Sequence, residues 1–235
     1  MECPHCMIES NAHGEHMPLE LYKKALDFSV KFDPYLIFLS GGEPTDHPDF
    51  IEYVNLAKQY VKDKKAATIL IASNGMFLDK ESYAEKILDL GIPIQVTHDD
   101  QFYPKKIKVI EHPLLMYEGK LTLLTPLGRA ASNNLLSNRQ SPLCFNLRSA
   151  VAYFKNFKEA VGYIRSKMKM CIPSINVDGT ISTGESSCCY HIGTVDSTDE
   201  ELVNNINAMR CGKCGLYKNL QGEAKKLWES FEHED

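Results

Sequence analysis

The sequence predicts an α/β protein, a parallel sheet with flanking helices followed by a smaller cysteine-rich module. Three observations lead there. Helical periodicity alternates with short apolar runs from about residue 18 to residue 98. Those runs end in glycine or polar residues, as strands of a parallel sheet do where they reach their functional edge. Six of the eight cysteines fall after residue 131 (Cys144, Cys171, Cys188, Cys189, Cys211 and Cys214). A chain of 235 residues with 43% hydrophobic side chains has room for one α/β domain and an appended module.

The elements follow in order. "PLELYKKALDFSVKF" places Pro18 at a helix start and Leu19, Tyr22, Leu26 and Val30 on one face. "YLIFLS" is a continuous apolar run closed by two glycines, the pattern of a strand buried on both faces. "TDHPDFIEYVNLAKQYVKDKK" begins the next helix, with Ile51, Val54 and Val61 facing inward and Lys58 laying its stem along them. "ATILIASNG" is the second strand. "DKESYAEKILDLG" is a helix with Asp79 as its N-cap and Gly91 past its end. "IPIQVTHDD" is the third strand. Beyond residue 100 the rhythm changes. "KIKVIEH" and "KLTLLTPLGRA" read as two further strands without a full helix between them, and residues 133–142 as a polar loop. "SINVDGTIST" is a hairpin turning on Asp178-Gly179, and "YHIGTV" another strand. These rhythms predict two domains, 1–130 and 131–235.

Composition narrows the function. A net charge of −5 gives no sign of a nucleic-acid surface. No apolar run is long enough to span a bilayer, and no signal-peptide pattern opens the chain. With so many cysteines and no secretory signal, the reducing cytoplasm is the expected compartment, where grouped cysteines hold metal more often than they form disulfides. Two pairs have ligand spacing: Cys3 with Cys6, and Cys211 with Cys214. Cys144 stands alone and reads as a buried thiol.

The segment "SGGEP" lies where the first strand ends. Gly41 and Gly42 let backbone approach a ligand closely, and Glu43 offers a carboxylate to an ammonium group. A plain strand-to-helix turn would also use paired glycines.

A Cys-x-x-Cys, then a helix, then a strand ending in "GGEP" resembles the radical S-adenosylmethionine (SAM) superfamily. The resemblance implies a partial parallel (β/α) barrel. It also implies a [4Fe-4S] cluster on a Cys-x3-Cys-x2-Cys loop, with one iron left open to SAM. Cys3 and Cys6 match the second and third ligands of that loop. Gly41, Gly42, Glu43 and Pro44 match the contact to the methionine amino group. "ASNG", with Ser73 and Asn74, and "VTHD", with Thr97 and Asp99, match the next strand ends around SAM. "PLGRA" is similar to the segment closing the core in members with an extra cluster domain. The position expected for the first cysteine falls just before Met1, as does the first barrel strand. The resemblance therefore implies a member shortened within its cluster loop, lacking that strand, and weak or inactive as given. His5, between the two cysteines, is a poor substitute ligand. His13, His16 and His47 read as solvated loop residues.

"CIPSINVDGTISTGESSCC" and the later "CGKCG" are similar to the SPASM or shorter twitch domain. This implies one auxiliary [4Fe-4S] cluster held by Cys171, Cys188 or Cys189, Cys211 and Cys214, with zinc suiting four thiolates equally well. The implied function is reductive SAM cleavage to a 5′-deoxyadenosyl radical that abstracts hydrogen from a substrate. That substrate is a peptide, a protein or a small molecule, and the electron comes from an external donor. No catalytic residue is assigned, and neither a membrane nor a nucleic acid is an expected partner. The alternative is a non-catalytic metal-binding protein that keeps the fold.

Overall fold

The computed structural model describes residues 2–6, 8–97, 102–103, 105–118, 128–135, 153–167, 173–182 and 191–208. They fall into two compact units, one of residues 1–4 and 10–122, the other of residues 5–9 and 123–235.

The first unit is built on a four-stranded, wholly parallel sheet in the order β1-β2-β3-β4. Its strands are β1 (Leu36–Leu39), β2 (Thr68–Ser73), β3 (Ile94–Thr97) and β4 (Leu115–Glu118). Helix α1 (Leu19–Ser29) precedes β1, α2 (Phe50–Lys62) joins β1 to β2, and α3 (Glu81–Leu88) joins β2 to β3. The α1 helix begins after Pro18, whose fixed φ suits a helix start. Tyr22 and Leu26 face inward, against Tyr53 and Ala57 of α2 and Ile69 of β2. A second cluster gathers Val54, Ile71, Phe77, Ile87, Ile94 and Val96 between the sheet and helices α2 and α3. Along β2 burial alternates strictly, so Ile69, Ile71 and Ser73 point toward the helices. Lys58 behaves as a snorkelling lysine: its ammonium donates to the Leu90 carbonyl at 2.8 Å, beyond the end of α3.

Three expectations are corrected. Strand β1 is an edge strand among the described residues, with Leu36 38% and Phe38 42% exposed, not a strand buried on both faces. Its continuous apolar run could not reveal that only one side has a neighbour. Asp79 does not cap α3, whose N-cap is Lys80. Asp79 instead ends a 3-10 turn (Met76–Asp79) and accepts the Lys108 N–H at 3.1 Å. The strand expected at "KIKVIEH" lies later, at Leu115–Glu118. The alternation of Ile107 and Val109 suggested a strand, but Val109 is 70% exposed while Ile107 and Ile110 pack on the core. That three-residue spacing is not a strand period. The segment is pinned by side chains: the Tyr117 hydroxyl accepts the Ile110 N–H at 3.1 Å and donates to its carbonyl at 3.0 Å. The strand read at "KLTLLTPLGRA" lies mostly outside the described residues. Its last residues open the short helix α4 (Gly128–Ser132).

The second unit holds α4, α5 (Phe157–Lys167), an antiparallel sheet of β5 (Ser174–Ile175), β6 (Thr180–Ser182) and β7 (His191–Thr194), and α6 (Asp199–Asn207). The β5–β6 hairpin turns through Asp178-Gly179 as expected, with Gly179 at φ +81°. Asp178 accepts both the backbone N–H and the hydroxyl of Thr180, at 2.9 and 2.7 Å. Those two bonds, the hydroxyl's first, hold its carboxyl below the ordinary range. A reciprocal capping box between Thr198 and Glu201 starts α6. Leu202 and Ile206 of α6 are buried, as are Ile181 and Ile192 of the sheet.

Candidate functional site

Because all four strands of the first unit run parallel, their C-terminal ends share one edge of the sheet, where such folds place their ligands. At that edge lie the turn after β1 (Ser40 to Pro44), the turn after β2 (Ser73 to Gly75) and Thr97 at the end of β3. The structure thus brings Gly41, Gly42, Glu43, Pro44, Ser73, Asn74 and Thr97 to one rim. Asp99 lies outside the described residues.

Gly41 is exposed at φ +144°, a conformation that residues with a Cβ rarely adopt. Gly42 is exposed too, and a Cβ there would collide with the Ser10 hydroxyl. Among the described residues, the peptide groups of Gly41 and Gly42 make no hydrogen bond to the protein. This turn presents unused backbone polar groups at the edge of the sheet.

Glu43 is in the opposite situation. It caps the 3-10 turn Pro44–Asp46, and its carboxylate accepts four hydrogen bonds. Oε1 takes the Thr45 hydroxyl at 2.6 Å, the Ser73 hydroxyl at 2.8 Å and the Thr45 N–H at 3.2 Å. Oε2 takes the Asn74 N–H at 2.6 Å. Burial raises the pKa of this carboxyl, and the four donors oppose that rise without cancelling it. Thr45 and Ser73 are themselves buried, at 3% and 5% exposure. Ser73 also accepts the Gly75 N–H at 3.0 Å, the Asn74 side chain accepts the Met76 N–H at 2.8 Å, and the Tyr83 hydroxyl donates to the Thr45 carbonyl at 2.7 Å. Sequence reasoning missed Thr45, Ser10 and Tyr83. Only Thr45 carried a signal, standing two residues after a carboxylate that can cap a turn.

The Cys-x-x-Cys is half-buried at both cysteines. Cys3 falls in the first unit, and His5 and Cys6 in the second. There the Cys6 carbonyl accepts the Arg129 N–H at 2.9 Å, so "PLGRA" ends against the cysteine segment. Among the described residues, no three His, Cys, Asp or Glu side chains are gathered as a metal site. Cys144, Cys171, Cys188, Cys189, Cys211 and Cys214 lie outside the described residues. His13 and His16 are exposed, as expected of solvated loop residues. His47 is instead half-buried, with its ring 4.3 Å from Tyr53 and 4.8 Å from His16. Among the described residues no helix is long and apolar enough to cross a membrane.

Comparison with known proteins bears on this edge. The model of the radical SAM superfamily matches residues 1–114. Two curated proteins of Methanococcus maripaludis, each named probable GTP 3′,8-cyclase, are similar to this chain. The one from strain C5 is 31% identical over 115 residues, 47% of this chain and 36% of that protein. The one from strain S2 is 31% identical over 94 residues, 39% of this chain and 30% of that protein. The chain thus spans about a third of the length of these relatives. The crystal structure of BtrN in complex with AdoMet and 2-DOIA aligns with a TM-score of 0.48 and 17% identity, covering 89% of this chain and 77% of that one. Strands β1 to β3, the Cys-x-x-Cys and the glycine turn after β1 all fall within residues 1–114, the stretch that is similar to the radical SAM superfamily.

Proposed function

We propose that this protein is a radical SAM enzyme whose SAM site is the sheet edge formed by the turns after β1, β2 and β3. The observation carrying the reading is the exposed Gly41-Gly42 turn, with its backbone polar groups unused by the protein among the described residues, inside the stretch similar to the radical SAM superfamily. In the bound state a [4Fe-4S] cluster supplies the electron that breaks the S–C5′ bond of SAM, giving the 5′-deoxyadenosyl radical that abstracts hydrogen from substrate. The chain's own part is binding and orientation. Cys3 and Cys6 hold two corners of the cluster, and the glycine turn receives the methionine end of SAM. Asn74 and Thr97 border the rest of the ligand, and Asp99, outside the described residues, is a further candidate contact.

Two substrate classes are proposed. The cysteine-rich second half favours a peptide or protein, by its likeness to auxiliary-cluster domains. The name of the Methanococcus relatives favours a nucleoside triphosphate. The test is anaerobic reconstitution with iron and sulfide, then SAM and a low-potential reductant. The expected result is slow release of 5′-deoxyadenosine that falls to background in the Cys3→Ser, Cys6→Ser variant. Stimulation by GTP selects the nucleotide reading. SAM binding without any 5′-deoxyadenosine supports the non-catalytic reading, and no SAM binding at all overturns the proposal.

A further inference from the structure

The geometry points to Glu43 as a positioning residue that clamps the β1 turn to the β2 turn, leaving the backbone of Gly41 and Gly42 to meet the amino end of SAM. The inference rests on the SAM reading above and gives Glu43 a different part from the direct carboxylate–ammonium pair that its sequence position suggests.

A carboxylate offers about four acceptor positions. Glu43 receives four donors from two different strand ends: at Oε1 the amide and hydroxyl of Thr45 and the hydroxyl of Ser73, and at Oε2 the amide of Asn74, so both oxygens are held in place by the two turns. The bonds from Ser73 and Asn74 cross about thirty residues of sequence and tie the end of β1 to the end of β2. Two of the donor residues are buried, so they cannot turn to water if the carboxylate leaves them. An ammonium group drawing Glu43 away would strand those donors. The glycine peptides beside it have no such commitments. Thr45 is fixed in turn by Tyr83 of α3, which donates to its carbonyl. Helix, both turns and carboxylate thereby form one connected unit whose exposed face is the glycine backbone.

The clamp and the direct contact differ in how they tolerate substitution. Glu43→Gln keeps an oxygen for the Asn74 N–H and turns its amide toward two hydroxyls that can rotate to accept. Only the longest bond, from the Thr45 N–H, is lost. Glu43→Ala loses all four. A direct ionic contact treats both variants alike, because both remove the charge.

The experiment measures SAM affinity of the iron-reconstituted full chain by anaerobic equilibrium dialysis, with amide hydrogen exchange recorded without SAM. The clamp gives Glu43→Gln within about threefold of wild type and Glu43→Ala weakened by about tenfold or more. Faster exchange in Glu43→Ala should be confined to Thr45 and Asn74–Met76. Thr45→Val, which leaves the carboxylate in place, should also weaken SAM severalfold. Equal losses in Glu43→Gln and Glu43→Ala, or unchanged or tighter binding in Thr45→Val, overturn the clamp. Absence of SAM binding by the wild type instead overturns the functional reading. In that case the exchange pattern still reports whether Glu43 joins the two turns.

Discussion

Gly41 shows how a single position can be fixed by backbone conformation alone. Its φ of +144° lies where a side chain is strained, yet a Cβ there would touch nothing within 4 Å. Any penalty on Gly41→Ala is therefore conformational, and we expect a loss of roughly 1–3 kcal/mol in urea unfolding. An unchanged midpoint would mean that the turn relaxes into an ordinary conformation. Glu43 lies two residues on, and "GGEP" marked it as a candidate binding carboxylate. Its partners were not recognisable as such, because Ser73 and Thr45 are ordinary turn residues until β1 and β2 lie side by side. Sequence spacing cannot show a hydrogen bond across thirty residues. The backbone bond from Arg129 to Cys6 was hidden for the same reason.

Elements were legible where a period ran long enough. Helices α1, α2 and α3 and strands β2 and β3 follow their apolar patterns. Of the residues those patterns marked, Tyr22, Leu26 and Val54 are buried, while Leu19, Val30, Ile51 and Val61 are half-buried. Ala25, Phe28, Phe50, Tyr53 and Ala57 are buried without having been marked. Strand β4 was misplaced because Ile107 and Val109 mimic alternation over too few residues to exclude a pinned, irregular segment. In the second unit the capping box of α6 satisfies two amides at its start, so Thr198→Ala should cost about 1 kcal/mol. Circular dichroism and urea unfolding would measure it, and a change within error would show that α6 is held by packing alone. The Asp178 carboxyl gives a pH dependence of defined sign. Its folded pKa is depressed, so its contribution is present above the unfolded value of about 3.9 and is lost as pH falls through the lower folded value. The Thr180 amide resonance should titrate with a midpoint below that ordinary value. A midpoint at or above it would show that the hydroxyl and amide of Thr180 do not hold the ionised carboxylate in solution.

At the scale of the whole molecule, two compact units accompany two kinds of chemistry proposed for the chain. The proposed auxiliary cluster would belong to the second. Its candidate ligands lie outside the described residues, and their thiolates would couple metal binding to folding. Replacing Cys211 and Cys214 with serine should release iron or zinc and speed exchange after about residue 170, leaving the parallel sheet protected. Unchanged metal content would remove that pair from the ligand set. The first unit carries the central claim, that the strand-end turns of the parallel sheet receive SAM. Hydrogen exchange of the iron-reconstituted chain with and without SAM tests it most directly. SAM is expected to slow exchange in residues 40–46 and 73–76 together, as one joined rim. Protection confined to another region, or none at saturating SAM, would contradict it.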